Sequence, residues 1–487
     1  MVLTPSSADS ASQLRRVLLN VLSLLGAYVL PRAFTFAAAV VAARVLGVAT
    51  FGVYGSAAAL AVILSIVATL GMMQLLVREM ARSPERAPEL VGAAHVAKTA
   101  SIGVMLVALA AIGAGPLQYG PDTLAAVMLL GLGYAVGAYG ENLGAYFQGI
   151  ERMGTWLQAQ ALYGITFGGL GIVLVVMTRD LVWFCAAPVV GQIASVCWLL
   201  YAAPRSVRRA WRAPWPLVAK LLRSLVPFAA AFVLLTAFYK TDIVLLELWL
   251  GEAQAGLYAA AYKFVDVAQA LSLVLAAALY PRLSRIAAGR LPANGTGGRW
   301  AAGRATELLI LGAVPAAAVL WLLRSPFVSV LYGDAYRASA GLVAVLAPAL
   351  PLLALNALGT FILAASERMR AVAALYLLGL VLKVTLNALL IPGRGAAGAA
   401  AAMLASEVAV GVGMVVTLWW LAAAAPRVRP ILVALAAGGA AVLVQGVGGV
   451  PPGPAAIMYG LAVSLLYVAA GVLTRTERAL LRSAAAR

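Results

Sequence analysis

Leu46-Gly47-Val48-Ala49-Thr50-Phe51-Gly52-Val53-Tyr54 returns, 204 positions later, as Leu250-Gly251-Glu252-Ala253-Gln254-Ala255-Gly256-Leu257-Tyr258. A second echo occurs at an offset of 216, where Glu151-Arg152-Met153 reappears as Glu367-Arg368-Met369. Order and spacing are kept, so each half of the chain carries one plan. Membrane proteins built from two like halves place their working site at the repeat interface. Transport is therefore the first expectation.

Composition sets the class. Hydrophobic residues make up 64% of the 487 positions and charged residues 11%, against roughly 25% charged in a soluble domain. The apolar runs are near or above the ~20 residues that a bilayer-crossing helix requires. Fourteen helices are expected, near 18–43, 52–77, 91–115, 122–148, 156–178, 181–202, 217–248, 253–281, 303–323, 338–364, 370–392, 396–423, 430–448 and 455–474. The fold class is thus all-α and polytopic. Residues 1–202 form a first six-helix lobe, 203–216 an arginine- and proline-rich linker, and 217–425 a second lobe. Residues 426–487 add two further helices and a basic tail. Gly289 to Gly303 reads as a flexible loop. The polar head, Met1 to Gln13, precedes a long span, so no cleavable signal peptide is expected. Cys185 and Cys197 read as small core residues, not as a disulfide.

The arginines set an orientation. With the N-terminus inside, the inner loops gather Arg78, Arg82, Arg86, Arg152 and the Arg205–Arg212 cluster. The outer loops hold Arg44, Arg179, Arg324, Arg337 and Arg394. Positive charge is retained on the cytoplasmic side, which places both termini there. This scatter accounts for much of the net charge of +18. It suits anionic lipid headgroups as partners and excludes a nucleic-acid surface, which would gather the charge on one face. The row Gly133, Gly137, Gly140 and Gly144 recurs at three and four residues, the spacing of close helix packing.

An ionised side chain at mid-bilayer costs at least ~2.5–3.5 kcal/mol, so it normally faces a wet cavity or a partner. Arg32, Lys98, Lys240, Lys263 and Lys383 fall inside predicted helices, as do Glu141, Asp242, Asp266 and Glu407. Lys263 lies roughly 15 Å into its helix and is a candidate for an anionic cargo; its competing role is a pair with Asp266, three residues on. Arg32 follows Pro31, which frees a carbonyl and bends the helix; it is a candidate substrate-binding cation of the cavity, its competing role a structural pair. Lys98 is a further candidate cavity cation, although it starts within reach of the cytoplasmic surface and can snorkel outward. His95 is nearer the surface still and reads as interfacial. Lys240, two residues before Asp242, points elsewhere and either lines the outer cleft or snorkels. Lys383 and Asn387 share a helix face. Asp242, Asp266, Lys383, Asn387 and Glu407 are read as coupling or gating groups. Glu407 offers a protonatable acid or a hydrogen-bonded buried carboxyl. Glu141 and Asn142 lie toward the inner end of their helix and are read as a gate.

Several segments resemble the bacterial polysaccharide flippases of the Wzx type. They are Ala43-Arg44-Val45-Leu46-Gly47 with Phe51-Gly52-Val53-Tyr54; Thr241-Asp242; Gly256-Leu257-Tyr258-Ala259-Ala260-Ala261-Tyr262-Lys263; Tyr280-Pro281-Arg282-Leu283-Ser284; and Gly395-Ala396-Ala397-Gly398-Ala399-Ala400 with Ser406-Glu407. The wider superfamily includes lipid II flippases and multidrug exporters. The resemblance implies a V-shaped, two-lobed bundle with a central cavity that moves lipid-linked sugars across the bacterial inner membrane by alternating access. It implies a polyprenyl-diphosphate glycan as cargo, a polysaccharide polymerase and other assembly proteins as partners, and no cofactor. The resembling lipid II flippases carry arginine at the position of Lys263. Those with a sodium site place an acid and polar groups where Asp242 and Asn387 stand, and more often asparagine where this chain has Lys383. A lysine there would take the place of the ion, so no sodium site of that kind is expected.

A membrane glycan polymerase or ligase would need paired acid and base groups in its outer loops, and these are short and carry none. One histidine and two cysteines leave no metal-ligand spacing. No phosphate-binding loop ending in Gly-Lys-Ser/Thr occurs. A lipid II flippase or a drug and cation antiporter is the alternative; the basic residues argue for an anionic cargo.

Overall fold

The computed structural model describes residues 7–69, 71–287, 298–366 and 368–420. The predicted helices at 430–448 and 455–474, and most of the 289–303 loop, lie outside the described residues. The chain divides into two compact units, Met1–Val233 and Leu234–Arg487.

Helix α1 runs over Ser7–Thr69, 63 residues, or ~95 Å if straight. No bilayer accommodates that length, and the helix breaks at Gly47, with φ 81° and ψ 175°. A Cβ there is disfavoured by the backbone itself. Its repeat partner Gly251 has φ 82° and separates α8 from α9. The first echo in the sequence is thus an echo of backbone geometry. Helical structure resumes directly after Gly47 and stops at Thr69, so the predicted 52–77 helix is wrong at both ends. A second left-handed glycine, Gly71, opens α2 (Met72–Arg82). In α2, Met72, Leu76 and Met80 are buried at a spacing of four, while Arg78 is exposed.

The first unit continues with α3 (Ala87–Ala114), α4 (Pro121–Gly149), α5 (Met153–Thr178) and α6 (Leu181–Ala202). A single turn, α7 (Arg205–Arg208), lies within the predicted linker. Helix α8 (Trp215–Leu250) crosses from the first unit into the second, which holds α9 (Glu252–Ala287), α10 (Gly298–Leu322) and α11 (Arg324–Tyr332). It continues through α12 (Ser339–Leu346), α13 (Ala349–Ala365), α14 (Met369–Arg394) and α15 (Ala396–Trp420).

The second echo is also structural. The N–H of Arg152 donates to the Phe147 carbonyl at 2.7 Å, and that of Arg368 to the Leu363 carbonyl at 2.9 Å. Both bonds reach five residues back, closing α4 and α13 before α5 and α14 begin. Helices α5 and α14 each end on a residue with positive φ, Arg179 (φ 53°) and Gly395 (φ 59°), again 216 apart, though their ψ angles of 31° and −141° differ.

Among the described residues, eight helices are long and apolar enough to cross a membrane, or up to ten if each bent pair is one span. The bent pairs correct two expectations. The predicted 338–364 helix is α12 and α13, bent by 47°, because Pro348 lacks an N–H and disfavours helix in the residue before it. Beyond α10 the chain forms α11 in place of the expected loop, turned by 71°.

Glycines set the packing of the first unit. Gly164 of α5 lies against Pro31 of α1, where an added Cβ would collide with proline backbone and ring atoms. One turn on, Gly168 does the same against Phe34, with a Cβ 2.7 Å from the Phe34 Cβ. In the α4 row, Gly144 meets the Trp156 ring, Gly140 meets Val196 and Gly133 meets the Pro188–Val189 backbone.

The predicted linker is packed against the first unit. Val207 is buried within its core, and a Cβ on Gly92 of α3 would sit 2.6 Å from the Arg212 carbonyl oxygen. His95 is buried, not interfacial as the sequence suggested: its Nδ1 lies 3.2 Å from the Ala210 carbonyl. Its ring stacks 4.4 Å from Trp211 and 5.5 Å from Tyr139. Trp211→Ala is expected to loosen this clamp and speed tryptic cleavage at Arg205 to Arg212. Parent-like cleavage would show that the stack does not hold the segment.

Candidate functional site

The charged residues that the sequence places inside spans gather into four groups. Each is internal to one unit.

In the second unit, Lys263 and Asp266 share a face of α9. Lys240 of α8 reaches the same carboxylate: Lys240 Nζ is 2.6 Å from Asp266 Oδ1, and Lys263 Nζ is 3.4 Å from Oδ2. Lys240 therefore neither snorkels nor stands alone. Its ammonium also sits 4.9 Å from the centre of the Tyr262 ring, and Tyr262 donates its hydroxyl to the Tyr239 carbonyl at 2.6 Å. All three charged side chains retain 22–29% exposure. Two ammonium groups thus meet at one carboxylate, and all three stay within reach of a ligand.

Asp242, on the other side of α8, is closed off. Its Oδ2 lies 2.7 Å from Lys383 Nζ and accepts the Tyr258 hydroxyl at 2.9 Å. Its Oδ1 accepts from Asn387 Nδ2 at 2.8 Å. Lys383 also donates to the Phe238 carbonyl at 2.5 Å and lies 4.7 Å from the centre of the Phe238 ring. Aspartate and lysine side chains are 1% and 0% exposed. The arrangement does not fit a bound cation, because an ammonium already lies against the one carboxylate. Among the described residues no group of three or more His, Cys, Asp or Glu side chains could hold a metal. Tyr258 was missed as a partner, although it closes the repeated stretch that begins at Leu250.

Glu407 of α15 is fully buried, with Oε2 accepting from Asn356 Nδ2 at 2.5 Å. Its Oε1 has no hydrogen-bond partner among the described residues. Asn356 was also missed; its signal is one amide in the apolar run Leu350 to Leu358.

In the first unit, Lys98 does not snorkel. It is fully buried, 3.0 Å from Glu141 Oε2 and 2.8 Å from the Ala138 carbonyl. Its ammonium is therefore unavailable to a cargo and instead positions Glu141, which stays 33% exposed. Arg32 is exposed on α1, next to Pro31, the residue packed on α5.

A family profile described as "Polysaccharide biosynthesis protein" matches residues 17–287, more than half of the chain. No curated protein sequence matches. Among solved structures, the lipid II flippase MurJ in an inward closed conformation is similar at a TM-score of 0.70 and 12% identity, over 93% of this chain and 100% of that one. A MOP superfamily transporter from Pyrococcus furiosus is similar at 0.62 and 14%, over 82% and 94%. A Vibrio cholerae MATE transporter is similar at 0.60 and 13%, over 85% and 98%. The fold is therefore that of the MOP transporters. The chain is a multi-pass membrane protein with that fold, and it belongs to the polysaccharide biosynthesis protein family.

Proposed function

We propose that the chain is a flippase for undecaprenyl-diphosphate-linked glycan units. It carries them across the bacterial inner membrane by alternating access, for surface polysaccharide synthesis, with both termini cytoplasmic. The observation that supports this reading most is the Lys240–Asp266–Lys263 cluster. Both ammonium groups are partly exposed, and cationic groups in a low-dielectric cleft attract anions. A diphosphate headgroup supplies the complementary charge.

The cluster gives a direct test. Lys263→Ala and Lys240→Ala each remove one of the two ammonium groups at the Asp266 carboxylate. Surface glycan at matched protein levels is expected to fall by about tenfold or more, the equivalent of at least ~1.4 kcal/mol of lost headgroup binding. Lys263→Arg is expected to retain most of it. Parent-level glycan in both alanine variants would overturn the reading. A lipid II cargo shares the diphosphate, and it is separated by complementation: rescue of a bacterium depleted of its lipid II flippase would assign that cargo instead.

A further inference from the structure

A recess opens inside the first unit, apart from the lysine cluster. Its lining includes Thr69 at the end of α1, Glu141 of α4, Trp156 and Gln160 of α5, and Gln192 and Ser195 of α6. It holds about 480 Å³, counting the space at its mouth. Gly137 and Gly140 form part of the wall, so α4 presents backbone where side chains would otherwise fill the space. The row at 133, 137, 140 and 144 therefore has two uses: close packing at some positions and open volume at others.

The lining has a definite chemistry. Two primary amides offer both donors and acceptors, and the hydroxyls of Thr69 and Ser195 offer the same. Among the described residues, no hydrogen bond engages the side chains of Thr69, Gln160, Gln192 or Ser195. Glu141 is held from behind by buried Lys98, so its carboxylate faces the recess as a fixed acceptor whose charge is offset. Charge-assisted acceptors of this kind make the stronger hydrogen bonds. The Trp156 indole adds an apolar wall. Uncompensated polar groups inside a membrane span are costly and mark functional sites.

The same features exclude other ligands. A cation would meet an ammonium 3.0 Å behind the one carboxylate in the wall. An anion would meet the carboxylate itself. A purely apolar molecule would leave the amides and hydroxyls without partners. The ligand that fits is a neutral, hydroxyl-rich molecule with one apolar face, the size of a single ring.

We propose that this recess is a carbohydrate subsite that takes one neutral sugar ring. Its assignment to the glycan portion of the cargo rests on the function proposed above; its affinity for sugar does not. The amides of Gln160 and Gln192 and the carboxylate of Glu141 bind ring hydroxyls, and Trp156 covers an apolar ring face.

The test uses the full chain in lipid nanodiscs and saturation-transfer NMR with free glucose, galactose, rhamnose and N-acetylglucosamine. Glucuronate serves as the acidic comparison. At least one neutral sugar is expected to give a signal and glucuronate none. Gly137→Leu fills the recess. A Cβ at Gly137 already meets only the flexible end of Gln192, at 3.0 Å, so the variant is expected to fold and to abolish the signal. Gln160→Ala with Gln192→Ala is expected to weaken binding by about tenfold, equivalent to ~1.4 kcal/mol. No signal from any neutral sugar, or a signal that survives both variants, would overturn the proposal. Farnesyl diphosphate binding is measured on the same samples. Sugar binding without diphosphate binding would sink the flippase reading and leave the subsite standing. Diphosphate binding without sugar binding would sink the subsite alone.

Discussion

Gly164→Leu is expected to lower the stability of the first unit by an amount near the top of the ~1–3 kcal/mol range for overpacking. The neighbour of Gly164 is not a flexible side-chain tip. An added Cβ would run into the Cβ, Cα and carbonyl oxygen of Pro31, and proline cannot rotate away. Helix α1 or α5 would have to move as a body, and Gly168 against Phe34 one turn later would lose its fit as well. Gly169 has nothing within 4 Å of its built Cβ, so Gly169→Leu is the matched control. Thermal unfolding in detergent reads the difference. Equal melting temperatures for the two variants would show that the α1–α5 contact is not tight in the working protein.

The second large effect is expected at Lys383. Replacing it by methionine leaves the Asp242 carboxylate buried with only Tyr258 and Asn387 as partners. Removing one partner of a buried ion pair costs about 3–5 kcal/mol, because the remaining charge is uncompensated. The double variant Asp242→Asn with Lys383→Met removes both charges and is expected to regain most of the loss. A single variant that melts with the parent would refute the closed pair. Lys383→Asn asks a different question: it places a carboxylate and two amides around the volume vacated by the ammonium. That variant is expected to melt higher in sodium chloride than in potassium chloride, since a ligand that binds only the folded state stabilises it by mass action. No sodium response would count against the view that the lysine stands where an ion could.

The sequence made the local features legible and hid the long-range ones. The breaks at Gly47 and Gly251 were visible as repeated stretches between predicted helices, and each is set by the backbone of a single residue. Lys383 and Asn387 were visible as a pair because a spacing of four fixes a helix face, and Asp242 as their partner through the resemblance. Lys240 with Asp266, 26 residues apart, and Lys98 with Glu141, 43 apart, were not. Periodicity gives the face of each helix but not which helices adjoin. That also explains why snorkelling to the bilayer surface stood as an alternative for Lys98 and Lys240, an available answer when no partner is known. The breaks near Thr69 and Pro348 were missed because the apolar run continues through them, although Gly71 and Pro348 each carried the signal. The polar recess was invisible for the same reason as the ion pairs: its wall is drawn from four helices.

The ammonium beside Asp242 is covalently part of α14. A dissolved ion can be taken up on one side of a membrane and let go on the other, and that exchange is how a gradient performs work. A tethered ammonium comes back to its starting place at the end of every turnover, so it carries no metal ion between compartments, and only a proton can pass by way of it. While Lys383 fills that position, a dissolved alkali-metal ion cannot deliver free energy there.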